Sequence, residues 1–233
     1  MLIIFIAAVI KGSTGFGFGM VAAPAMMIID PILVPGPLLV LAMLTSFLIA
    51  LREWRNVDVK GLFVAFSGRV PGTVLAVLTV SAIPLTLYGI IFGVLIFTSV
   101  LLSMTRWRFT SSNRNLFIAG LSSGFMGTIT SIGAPPIALV YQHKTASVIR
   151  STLAVFFLLG TIFSIIMLFI FDRFSMDHIY ISTLFIPPLL LGFKLSNVII
   201  SRLNAKIVRF TILAMCGLSS LALIFRSIME LQL

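Results

Sequence analysis

Carboxylates are scarce in this chain. Only six Asp and Glu occur among 233 residues, and all of them, Asp30, Glu53, Asp58, Asp172, Asp177 and Glu230, fall in loops or near the ends of apolar runs. A buried acid is the common carrier of proton or sodium relays inside membranes, so a relay of that kind has no obvious residue to run on, and coupling by another route stays open. The single cysteine, Cys216, excludes an internal disulfide, a CxxC thiol pair and a cysteine metal cluster. The two histidines, His143 and His178, lie at loops, and there is no HExxH pattern and no carboxylate pair inside an apolar run. An enzyme is not expected, nor a resident metal or cofactor.

What is abundant is apolar. Hydrophobic residues make up 60% of the chain and charged ones 9%, with a mean hydropathy of +1.21, a balance that no single soluble core can hide. Spanning a hydrocarbon layer of about 30 Å takes roughly 20 mainly apolar residues per helix. Runs of that kind lie at 33–51, 61–80, 84–104, 151–171, 179–201 and 207–229. Residues 1–10 are apolar too, but no basic stretch leads them and no small-residue cleavage site follows, so a removable signal peptide is not expected. The formal charge of +10 does not imply nucleic acid, which needs a basic patch on a soluble face. Here 13 of the 16 Lys and Arg residues sit between spans or at their ends, where the lipid bilayer is the partner and loop charge reports topology.

Sliding the chain against itself by 112 residues aligns Phe5-Ile6-Ala7 with Phe117-Ile118-Ala119, Gly12 and Gly15 with Gly124 and Gly127, Ala22 with Ala134, and Pro24 with Pro136. Paired Gly and Pro at one offset are hard to obtain from apolar composition alone. The chain therefore reads as two repeats, 1–110 and 111–233. Each consists of one interrupted apolar segment (2–29 and 114–141) followed by three uninterrupted spans. Gly12, Gly15, Gly17 and Gly19 argue for a broken helix in the first copy. Ser131, Gly133 and the Pro135-Pro136 pair argue the same in the second. Broken backbone at membrane depth persists only where protein buries it or it lines a wet cavity, so a binding site is expected there.

Two topologies follow. If the interrupted segments cross, there are eight spans and parallel halves, with basic residues divided eight against five between the two sides. If each dips in and returns as a hairpin of two arms of about ten residues, six spans remain and the halves are inverted. The loops at 52–60, 105–115, 142–150 and 202–209 then share eleven basic residues, leaving Arg173 and Arg226 opposite. The second division fits the positive-inside rule better. The expected fold is an all-α integral membrane protein of two inverted repeats whose hairpin tips meet near the midplane, as in inverted-repeat transporters.

The expected tips carry Lys11, Gly12, Ser13, Thr14 and Gly15 in the first copy and Gly124, Gly127, Thr128, Thr130, Ser131 and Pro135 in the second. Helix N-termini, backbone donors, hydroxyls and a lysine all suit an anion. Each residue also has a structural reading. The glycines can serve close helix packing, the hydroxyls can bond back to their own helix, and Lys11 can snorkel to an interface. Snorkelling is the preferred reading for Arg69 and Lys194, each about two turns from the basic face. Trp54, Trp107 and Tyr180 fit an interfacial belt.

The stretches Lys11-Gly-Ser-Thr-Gly-Phe-Gly-Phe-Gly-Met20, ending in Pro24, and Gly124-Phe-Met-Gly-Thr-Ile-Thr-Ser-Ile-Gly-Ala-Pro-Pro-Ile137 resemble the paired signatures of the TauE/SafE-type sulfite exporter family. The resemblance extends over essentially the whole chain, with Ala134 standing where a second glycine is usual. It implies a multi-pass protein of the bacterial inner membrane that moves sulfite, a sulfonate or a related organosulfur anion. A porter of a non-sulfur small anion and a non-transporting membrane subunit are the alternatives, and homo-oligomerisation is left open.

Overall fold

The computed structural model describes residues 1–105, 109–199 and 205–231. Arg106, Trp107, Arg108 and Arg202, which figure in the loop-charge argument and the aromatic belt, lie outside the described residues. The described residues form helices and connecting turns, with no strand among them. In order they are α1 (Leu2–Thr14), α2 (Phe18–Ile29), α3 (Gly36–Glu53), α4 (Val59–Ala82), α5 (Leu85–Met104), α6 (Asn113–Thr130), α7 (Ala134–Tyr141), α8 (Ala146–Ile170), α9 (Met176–Ile199) and α10 (Ala205–Leu231).

Local chemistry sets several of these boundaries. The Asp58 carboxylate accepts from the Gly61 N–H at 3.0 Å and caps α4, and the Ser112 hydroxyl accepts from Asn115 N–H at 3.3 Å and caps α6. Both interrupted segments are broken. Between α1 and α2, Gly15 and Gly17 take left-handed φ angles of 87° and 94°, which a Cβ would disfavour. Between α6 and α7, Ser131 is left-handed at φ 61°, and Pro135 sits in the first turn of α7, where a missing N–H costs nothing. The arms are not all of about ten residues. Those of the first segment have 13 and 12 residues, but α6 has 18 and α7 only 8. Nothing before Ser131 interrupts the α6 ladder, whereas Pro24 lies inside α2 without ending it.

Five helical stretches are long and apolar enough to cross a membrane: Pro31–Asn56, Val59–Ala82, Leu87–Met104, Ala146–Ile170 and Met176–Ser196. Of α10, the described apolar stretch is Cys216–Ser227. Trp54 and Tyr180 are 64% and 72% exposed near helix ends, as an interfacial belt requires. The Lys194 side chain is exposed as well, in keeping with snorkelling.

The helices pack in a reciprocal pattern. α4 lies on α6 and α9 on α1, α4 touches α8 and α9 touches α3, α2 meets α10 and α7 meets α5, and α3 pairs with α8 and α5 with α10. The α4/α6 contact is made by backbone meeting backbone. A Cβ on Gly68 would strike the Phe117 carbonyl, one on Gly72 the Leu121 carbonyl, and one on Gly120 the Ala65 carbonyl, so this pair approaches closely in the manner of small-residue membrane interfaces.

Hydrogen bonds identify what gathers at each end. At one end Glu53 bridges Arg52 and Arg150, both at 2.9 Å, and the Asp58 N–H donates to Thr152 Oγ1 at 2.9 Å. There too Ser111, just ahead of α6, donates to the Val140 carbonyl of α7 at 2.8 Å, so α7 finishes beside the start of α6. At the other end Arg173 donates to the Ser81 carbonyl at 3.1 Å, and the His178 ring lies against Gly36.

The α4/α6 contact yields a stability contrast. Gly120→Leu should cost at least about 1–3 kcal/mol, the range for overpacking, while Gly217→Ala, where a new Cβ meets nothing within 4 Å, should be neutral or stabilising by up to about 1 kcal/mol. Thermal unfolding of the detergent-solubilised variants measures both, and equal melting temperatures would mean that the glycine contact carries no weight.

Candidate functional site

The two breaks face each other. A Cβ on Gly19, in the first turn of α2, would overlap the Ser131 carbonyl, so the tips are in van der Waals contact. Beside this contact lies a small cavity of about 40 Å³, room for only a few water-sized groups. Its walls are residues 16–20, entering α2, and residues 131–134, entering α7, with Leu39 and Ala42 of α3 and Phe157 and Thr161 of α8. The first N–H groups of a helix have no partner within it. Two helix N-termini therefore look into one space, each with a partial positive charge.

Two basic side chains line the same space. Lys11, 3% exposed, donates from Nζ to the Ala42 carbonyl at 2.8 Å and to Ser46 Oγ at 2.7 Å, and lies 5.7 Å from the Phe18 ring centroid. Arg69, 1% exposed, donates from Nη1 to Ser123 Oγ at 3.2 Å, and its guanidinium stands 4.8 and 5.6 Å from the rings of Phe156 and Phe157. Ser123 in turn donates to the Gly133 carbonyl at 2.6 Å, so Arg69 is tied to the second break. Gly160 makes the room: a Cβ there would overlap Arg69 Nε. Arg69 Nε and Ser131 Oγ are buried without a hydrogen-bond partner among the described residues. Among the described residues, no Asp or Glu lines the cavity. Such an arrangement attracts an anion and repels a cation.

Of the residues expected at the tips, Lys11, Gly127 and Ser131 line the cavity. The others lie outside its lining. Gly12 packs on Ser196 and Phe193 of α9, and its carbonyl accepts from Arg52 Nη2 at 2.9 Å. Ser13 bonds back to the Val9 carbonyl and Thr14 to that of Ile10, both at 2.8 Å. Gly15 fits its turn against Arg150, and Gly124 lies on the Arg69 carbonyl of α4. Thr128 joins Thr73 at 3.3 Å and Ser164 at 2.8 Å in a hydroxyl cluster among α4, α6 and α8. Thr130 bonds back to Met126 and caps Ile132 N–H, and Pro135 is buried in the first turn of α7.

Arg69 overturns its own expectation. It does not snorkel to the basic face but turns inward, because Gly160 and the two phenylalanine rings provide a hollow for it. Lys11 likewise points inward rather than to an interface. The sequence signal for Arg69, an arginine in the middle of a span, was present, but its hollow is built 91 residues away at Gly160.

The fold and cavity define a multi-pass membrane protein with a buried, anion-favouring chamber. The family model for sulfite exporter TauE/SafE matches residues 1–223, and the chain belongs to that family, a family of membrane transporters. No curated protein and no solved structure matches the chain.

The left-handed Ser131 tests the geometry of the second break. A left-handed non-glycine residue costs about 1–2 kcal/mol, and a β-branched one is worse. Ser131→Gly should hold or raise the melting temperature and Ser131→Val should lower it; the reverse order would remove the left-handed turn from the structure.

Proposed function

We propose that the chain binds and carries a small sulfur oxyanion, sulfite or an organosulfonate, in the chamber between the two breaks. One observation carries the reading: Lys11 and Arg69 are both buried against the chamber with no carboxylate beside them. A cation at membrane depth costs about 2.5–3.5 kcal/mol by insertion scales, and a bound anion offsets that cost twice. Ser131 Oγ and the N–H groups entering α2 and α7 suit sulfonate or sulfite oxygens. Membership in the sulfite exporter family supports sulfur chemistry over a carboxylate.

Flux of sulfite, taurine and acetate into proteoliposomes separates these classes, and sulfite or taurine should exceed acetate. Removing one charged hydrogen-bonding partner is worth about 1.5–3 kcal/mol, or roughly 10- to 150-fold. Lys11→Ala and Arg69→Gln should each lower flux by that order while the protein still elutes as a folded species. Thr128→Ala, outside the chamber, should leave flux intact and cost about 1 kcal/mol of stability. Unchanged flux in both cation variants would move the site elsewhere.

The proposed topology is six spans and two re-entrant hairpins in inverted repeats, in a bacterial inner membrane, with the basic loops cytoplasmic. The reciprocal packing supports the repeat, since exchanging the two halves maps the helix pairs named above onto one another. The Ser111 to Val140 bond supports re-entry of the second segment, and the Glu53 to Arg150 bridge supports one shared face for the loops at 52–60 and 142–150. In a Cys216→Ser background, an impermeant thiol reagent should label Arg55→Cys and Lys144→Cys from one side and Ile32→Cys from the other. Lys144→Cys labelling together with Ile32→Cys would restore eight spans.

A further inference from the structure

The two cations of the chamber differ in one respect that matters to a transport cycle. An arginine keeps its proton in any protein environment, whereas a lysine amine can give its proton up. Resting on the anion-site reading above, we propose that Lys11 is the coupling group, moving one proton with each monoanion.

Among the described residues, every partner of Lys11 is neutral. Its Nζ meets the Ala42 carbonyl, the Ser46 hydroxyl and the Phe18 ring. A hydroxyl either donates or accepts, so Ser46 satisfies the ammonium and the free amine alike, while the Ala42 carbonyl accepts from both. The elements packed on α1 add no counter-ion. α2 holds no titratable residue between Phe18 and Ile29. On α3 the charged groups are Arg52 and Glu53, paired with each other at its last turn. On α9, Asp177, His178 and Tyr180 belong to the first turns and Lys194 is exposed. Arg150 of α8 reaches the Gly15 turn but is held by Glu53. Across the chamber stands Arg69, of like sign.

When the anion leaves, two like charges are left at membrane depth, and only one of them can be discharged. The Lys11 ammonium gives its proton to water on the side where the anion is released. The amine takes a proton back from water on the side where the next anion binds. No other bond is made or broken. Loaded with a monoanion, the chamber carries two cations and one anion; empty, it carries Arg69 alone. Its net charge is the same in both states, so the membrane potential does no net work over a cycle.

The test uses proteoliposomes of the full chain, with protein-free vesicles subtracted, at an acidic pH where sulfite is the hydrogen sulfite monoanion. The wild type should exchange internal for external sulfite, accumulate sulfite down an imposed proton gradient, and ignore an imposed potassium diffusion potential. Lys11→Arg keeps the positive charge but cannot release the proton. Its gradient-driven accumulation should fall about tenfold or more beyond any loss of its exchange, in which the carrier never returns empty. Wild-type accumulation that follows the potential and ignores the proton gradient would overturn the proposal without recourse to any variant. Wild-type accumulation by Lys11→Arg would overturn it as well. Absence of sulfite exchange in the wild type would instead bring down the anion-site reading beneath it.

Discussion

Positive charge held at membrane depth without a negative partner is the constraint around which this molecule is arranged. A guanidinium or ammonium in a low-dielectric interior must find hydrogen bonds, aromatic faces or a mobile anion. Arg69 finds one hydroxyl and two phenylalanine rings, and Lys11 a carbonyl, a hydroxyl and one ring. Neither set neutralises its charge. The acid-poor composition, the glycine at position 160 and the two helix N-termini turned toward the chamber all serve this one electrostatic arrangement.

The architecture keeps such a chamber from collapsing through its periphery. Glu53 gathers Arg52 and Arg150 at the basic end, so this acid is engaged outside the chamber lining. Arg52 also reaches the Gly12 carbonyl near the end of α1, where a cation complements the helix dipole. The glycine contact of α4 with α6 then holds Arg69 and the second break in a single unit, with Ser123 as the link between them.

Much of the architecture was legible in the sequence because it depends on one-dimensional features. Span length, glycine clusters and the proline pair placed the helices within a few residues of where they lie, and put both breaks where backbone angles require them. The chamber lining was less legible. Which side of a helix a hydroxyl takes depends on where the helix ends, and α6 runs on to Thr130, turning Thr128 toward Thr73 and Ser164 instead of the tip. Gly12 and Gly124 are packing residues, a role that shares its sequence pattern with a ligand-lining turn. Arg69 was misread because distance along a span suggests snorkelling, while its actual direction is decided by a missing side chain on another helix.

The contact of Gly19 with the Ser131 carbonyl has a mechanical meaning. With no side chain at position 19 there is no compliant layer between the two hairpins, and rigid backbone rests on rigid backbone. A displacement of either tip toward the other is transmitted at once, without the slack that a flexible side chain would absorb.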